Sequence, residues 1–224
     1  MKKFRLSLTM ILMATVIFAS CSSMNRTQKG AVVGTAAGGA MGAVIGKATG
    51  NTALGAIIGA AVGGTAGAVI GNQMDKQAEE IAKTVPDAKV LRVGEGITVE
   101  FSSAVLFEFG QSSLSNDAKA NLDKLVIVLR DFPDTDIEIQ GHTDSKGSLT
   151  FNQGLSERRA TAVSNYLISR NLLVSRLTVV GFGETLPKHL NDTEDGRAQN
   201  RRVEFVITAN EKMRADAAAA AARQ

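Results

Sequence analysis

Tryptophan is absent from this 224-residue chain, and tyrosine, cysteine and proline are scarce, at one, one and three. A lone cysteine excludes an internal disulfide framework and any cysteine-cluster metal site. Only two histidines, His142 and His189, are present, far apart in sequence. Aromatics make up 4% of residues, and no basic stripe interleaves with them, which argues against a nucleic-acid surface. An excess of one charge is missing too. The formal net charge is +3, and Lys2, Lys3 and Arg5 account for it. With those three set aside, the 25 Lys and Arg fall to the 22 of Asp and Glu. The chain is nonetheless 44% hydrophobic, too apolar for global disorder. Its length allows one ordinary domain with additions, or two small ones.

The three early cations precede an apolar run over residues 6–19, and Ser20 and Cys21 follow. That pattern is a secretory signal, too short and wrongly flanked for a stable span. Phe18-Ala19-Ser20-Cys21 resembles the bacterial lipobox, with Phe18 where Leu is more usual. The resemblance implies cleavage before Cys21 and acylation of its thiol and amine, enough chains for stable anchoring. Ser22, with no acidic residue after Cys21, resembles lipoproteins sent to the outer membrane of Gram-negative cells.

Glycine is abundant where charge is absent. Residues 30–72 hold 13 of the 22 Gly, mostly four apart, and GGAMGAVIG at 38–46 returns as GGTAGAVIG at 63–71. A flexible linker would carry Ser and polar residues, whereas this stretch carries Ala, Val and Ile. In water, each such Gly disfavours helix by roughly 1 kcal/mol relative to Ala. In lipid, backbone groups must pair internally, and Gly at i, i+4 lets a second helix approach closely. Lys47 is the one charge between residues 30 and 74. Each apolar run therefore spans roughly 25–30 Å as helix, close to a bilayer core. The spacing predicts a hairpin of Gly30–Ala48 and Ala53–Gly71 that turns at 50–52. A surface-lying zipper that forms homo-oligomers is the alternative. The stretch resembles the glycine-zipper segments of bacterial envelope proteins.

Residues 73–84 read as a polar helix stopped by Pro86, and Val90–Val93 and Ile97–Phe101 as strands around a glycine turn. Apolar spacing predicts helices over Ser115–Arg130 and Leu149–Arg170, capped by Ser115 and Ser148. Strands are expected at Asp136–Gln140, Arg176–Val180 and Val203–Thr208. Strands alternating with helices give an α/β sandwich with helices on one face. The tail after residue 210 is Ala-rich and reads as a frayed helix.

Gly141-His142-Thr143-Asp144, with Gly147, resembles the GHTD-x-x-G loop of the OmpA-like peptidoglycan-binding domain. Asn152, Leu155, Ser156, Arg159 and Ala160 match its N-x-x-L-S-x-x-R-A helix, and Asn200-Arg201-Arg202-Val203-Glu204-Phe205 ends its last signature. With lipobox and zipper, the whole resembles the YiaD-type outer-membrane lipoproteins. It implies a β-α-β-α-β-β fold of the OmpA C-terminal type. The expected organisation is a signal peptide (1–20), lipidated linker (21–29), zipper hairpin (30–72), helical linker (73–88), OmpA-like domain (89–210) and tail (211–224).

Asn152, Ser156 and Arg159 form one helical stripe, and Asp144 lies on the loop entering that helix. A carboxylate and a guanidinium at one mouth suit a zwitterion: Asp144 takes an ammonium, and Arg159 takes a carboxylate in two parallel hydrogen bonds. The resemblance implies that the zwitterion is the diaminopimelate end of a peptidoglycan stem peptide, with Thr143 and Asn152 adding hydrogen bonds. The partners expected are thus peptidoglycan and outer-membrane lipid, with no cofactor, metal or nucleic acid. His142 is expected to fix the loop by hydrogen bonding, and Arg201, Arg202 and Glu204 to tie the last strand through ion pairs. A wall hydrolase using Ser156, His142 and Asp144 is the enzymatic alternative, but no nucleophile-elbow motif is present. The other alternative is a zipper-driven membrane oligomer or assembly factor in which wall binding is secondary.

Overall fold

The computed structural model describes residues 65–108 and 111–223. The expected signal peptide, Cys21 and the first arm of the hairpin lie outside the described residues. Helix α1 spans Thr65–Thr84, strand β1 Lys89–Val93 and β2 Gly96–Ser102. A single helical turn, α2 (Ser103–Leu106), leads to α3 (Asn116–Asp131) and β3 (Thr135–Gly141). Helix α4 (Leu149–Ser169), β4 (Leu177–Gly181), α5 (Glu194–Asn200), β5 (Arg202–Ala209) and α6 (Glu211–Ala221) complete the order.

The strands form one sheet in the order β1-β2-β5-β3-β4. Its pairs are antiparallel except β3 with β4, which are parallel. That exception follows from the α4 crossover, since parallel neighbours need a long connection. Alternation fills one face with Val99, Phe101, Ile137, Ile139, Val203, Phe205 and Ile207, all buried. Leu122, Leu125 and Leu129 of α3 and Val163 and Leu167 of α4 close over them in a single cluster. Phe101 and Phe205, on adjacent strands, meet edge to face at 5.7 Å. The expected caps are present: Ser115 Oγ accepts the Ala118 N–H at 3.0 Å, and Ser148 Oγ the Phe151 N–H at 3.2 Å. The α/β fold is as expected, and the central elements fall within a residue or two of their predicted bounds.

The expected borders at both ends of the domain look different in the structure. α1 runs without a break across the border between the zipper and the helical linker. Ala66, Ile70, Met74, Ala78 and Ile81 form a buried stripe on α1, belonging to the same core. Residues 73–84 look polar alone because Met74, Ala78 and Ile81 are outnumbered there, and the stripe emerges only once Ala66 and Ile70 join it. The tail is likewise an ordered helix. Asn210 caps α6 by accepting the Met213 N–H at 2.9 Å, and Met213 and Ala217 are buried as α6 lies along α1. An Ala-rich helix suits that place, because small side chains let two helices approach closely.

Among the described residues, no helix is long and apolar enough to cross a membrane. The expected arm Ala53–Gly71 gives up its last seven residues to α1.

Candidate functional site

The site is built where the sheet, α4 and the loop after β4 meet. Gly141 and Gly181 end β3 and β4 side by side in register. A Cβ on Gly141 would stand 2.1 Å from the Ser156 carbonyl oxygen, and one on Gly181 2.4 Å from Glu157 Cγ. Their missing side chains let α4 lie directly on the strand ends. Ser156 then joins helix to loop: its Oγ donates to the Gln153 carbonyl at 2.8 Å and accepts the Gly183 N–H at 2.9 Å. Ser156 is fully buried and its hydroxyl is committed to backbone groups. It therefore lacks the exposure and partner a nucleophile needs.

The loop after β3 is fixed by its backbone. The Thr143 N–H donates to the Gly183 carbonyl at 2.8 Å, and the His142 N–H to the Arg202 carbonyl at 3.0 Å. The His142 ring does not follow its expectation. It is 1% exposed, its nitrogens have no hydrogen-bond partner among the described residues, and it stacks on Phe182 at 5.3 Å. Burial first, then the Arg202 charge, lowers its pKa to about 3 against the opposing pull of Glu204. A neutral, enclosed imidazole holds the loop by packing. Among the described residues, no cluster of His, Cys, Asp or Glu could hold a metal ion.

Asp144 and Arg159 line the same cleft, of about 690 Å³, together with Thr143 and Asn152. Asp144 Oδ1 accepts the Lys146 N–H at 2.9 Å, and Oδ2 accepts from Arg201 Nη1 at 2.6 Å. Asp144 thus already has a cationic partner. Arg201 also reaches Glu194 at 2.8 Å. Partial burial opposes its charge, but the hydrogen bonds it donates to Asp144 and Glu194 outweigh that and raise its pKa.

Arg159 is not at an exposed mouth, as its place on the helix suggested. It is 5% exposed, its guanidinium lies over the Phe107 ring at 5.1 Å, and its Nε donates to the Gln111 carbonyl at 3.0 Å. Nη1 reaches Ser103 Oγ only at 3.4 Å, and Nη2 has no partner among the described residues. The outer edge of the fork is therefore free for an anion in the cleft. Burial and then Arg201 lower its pKa, while Asp144 opposes them. Arginine's reference value is high enough for it to stay charged at neutral pH.

Asn152 and Thr143 serve the loop itself. Asn152 Nδ2 donates to the Asp144 carbonyl at 3.2 Å and also to Glu184 Oε2. Thr143 Oγ1 donates to the same Asp144 carbonyl at 2.9 Å. Both fix the backbone from which the Asp144 carboxylate projects. The expected tie between the last strand and the loop is made by Arg201–Asp144 at 2.6 Å, while Arg202–Glu204, also 2.6 Å, joins two residues of β5 itself. The sequence reading missed Arg201 and Phe107 as site residues. Arg201 stood inside the last quoted signature but was assigned only to the strand. Phe107 carried no signal beyond an apolar run.

The fold is thus a mixed α/β sandwich with one five-stranded sheet and a cleft lined by Asp144 and Arg159. Residues 106–201 match the OmpA family and residues 1–75 the YMGG-like Gly-zipper family. The chain is 32% identical over 135 residues to the peptidoglycan-associated lipoprotein of Rhizobium meliloti, covering 56% of this chain and 77% of that one. It is 34% identical over 119 residues to the lipoprotein YiaD of Escherichia coli, covering 53% of this chain and 54% of that one. With the outer membrane porin F of Pseudomonas aeruginosa the identity is 36% over 143 residues, covering 63% of this chain and 40% of the porin. A MotB-like protein from Desulfovibrio vulgaris superposes with a TM-score of 0.59 at 26% identity, covering 65% of this chain and 96% of that one. The chain belongs to the OmpA family and joins an OmpA-like domain to a Gly-zipper segment. It spans about half or less of the length of YiaD and porin F.

Proposed function

We propose that the chain is a non-enzymatic tether that holds the outer membrane to the cell wall, with the cleft taking the diaminopimelate end of a stem peptide. The observation that carries the reading is one cleft holding the Asp144 carboxylate and the unpartnered edge of the Arg159 guanidinium. In such a cleft the ligand ammonium rests on Asp144 beside Arg201, and its carboxylate lies along the Arg159 fork, giving charge-assisted bonds at both ends. The names of the lipoprotein and porin relatives support an envelope setting. Lipid on Cys21 supplies the other end of the tether. The test is co-sedimentation of the full-length protein, in detergent, with purified sacculi. The protein should pellet, and free meso-diaminopimelate should release it. Pelleting that diaminopimelate leaves unchanged would overturn the assigned ligand.

A second reading, a zipper-driven oligomer, has one observation in its favour. Gly71 has no neighbour within 4 Å of where its Cβ would stand, so the packing of the domain does not explain that glycine. Cross-linking of the wild-type chain and of Gly67→Leu in detergent separates the two readings, since only an oligomer depends on a narrow glycine face.

A further inference from the structure

A second groove, of about 580 Å³, lies across the α2–Phe107 segment from the cleft. Ala104, Phe107 and Glu108 line both, so the two are neighbours across that ridge. The groove runs along α3, where Asp117, Asn121 and Lys124 share one face. Asn121 is 5% exposed and makes no side-chain hydrogen bond among the described residues. Asn152 and Asn200, as deeply buried, have their amides engaged. Asp87, Glu108 and Asp117 also line the groove and form no ion pair among the described residues. A largely buried amide that lines the groove with no protein partner for its donor or acceptor, beside open carboxylates and the apolar Phe107 and Ala120, offers a polar ligand complementary groups.

We propose that this groove binds an N-acetylated amino sugar, the glycan unit that carries the stem peptide. The inference rests on the proposed function and extends it from the peptide to the sugar. An acetamido group matches Asn121 in both directions: its carbonyl accepts from Nδ2 and its N–H donates to Oδ1. Sugar hydroxyls donate to Asp117, Glu108 and Asp87. Three carboxylates against Lys124 disfavour a second anionic peptide end. Adjacency across Glu108 lets one ligand fill both sites.

Calorimetry on the full-length protein in detergent tests this with a stem tripeptide ending in diaminopimelate and the same tripeptide on its disaccharide. The disaccharide-peptide should bind about tenfold tighter than the peptide, the worth of one or two neutral hydrogen bonds. Asn121→Ala and Asp117→Ala should each remove most of that gain and leave peptide affinity unchanged. Should Asn121→Ala fail to fold, Asp117→Ala decides alone, because Asp117 is exposed. Equal affinity of the wild type for peptide and disaccharide-peptide, or a gain that survives the Asp117 change, overturns the sugar site and leaves the tether intact. Tighter binding of a sugar-free cross-linked peptide dimer assigns the groove to a second peptide and also overturns it. If neither ligand binds, the proposed function falls and the inference with it.

Discussion

Arg159 has two roles that pull on one group. Its Nε and its face hold the Gln111 carbonyl and Phe107, while its outer edge stays open to the cleft. Arg159→Ala should therefore weaken sacculus binding roughly tenfold to a hundredfold, the range for charge-assisted hydrogen bonds, and also lower the melting temperature. Arg159→Lys should restore part of the stability but little of the binding, because an ammonium cannot make the two-pronged contact. Arg158, exposed and one position round the helix, is the control, and Arg158→Ala should sediment like wild type. His142 supplies a pH test. Its folded pKa, about 3, lies below the unfolded value near 6.5, so the folded state resists protonation. The stability due to its neutral form is complete above pH 6.5 and drains away as pH falls towards 3. Between pH 6 and 5, above the carboxylate range, denaturant melts should lose about 1.4 kcal/mol per pH unit. His142→Phe, which keeps a ring against Phe182, should flatten that slope. An unchanged slope in the variant would move its source elsewhere.

At the scale of elements, α1 is where the sequence pattern and the fold diverge most. Polar over its second half, it reads as a spacer, yet its stripe closes one side of the core and receives α6. Ile70→Ala should destabilise the domain by about 2–5 kcal/mol in denaturant melts, as buried aliphatic truncations do. A spacer would show no change. Gln77, fully buried on the same helix with neither amide atom paired among the described residues, works against the packing around it. Gln77→Met, similar in volume and without polar demand, should raise the melting temperature. The short α5, within a segment that reads as a loop, escapes periodicity because its seven residues are almost all polar. Its cap, Thr193 Oγ1 accepting the Gly196 N–H at 3.1 Å, is the one local sign of it.

For the whole molecule, α1 carries the last residues of the Gly-zipper match, 65–75, into the core of the domain as one helix. Thr65–Gly71 belong to the docked helix, and on the proposed reading the acyl chains on Cys21 carry membrane attachment. A Cys21→Ser chain should accordingly leave membranes under alkaline carbonate. Its retention in the pellet would mean that the zipper segment itself holds the membrane.

The glycine spacing, the lone cysteine after an apolar run, the helix caps and the order of strands and helices were legible in the sequence, because each rests on contacts within a few residues along the chain. So was the loop and helix pairing that brings Asp144 and Arg159 together, since both motifs stand beside it. Only the tertiary structure decided which groups those residues meet. Arg201 reaches Asp144 from 57 positions away, and Gln111 holds Arg159 from 48. The docking of α1 and α6, and the groove beside Asn121, belong to the same class. They depend on which faces come together in space, and local periodicity carries no information about that.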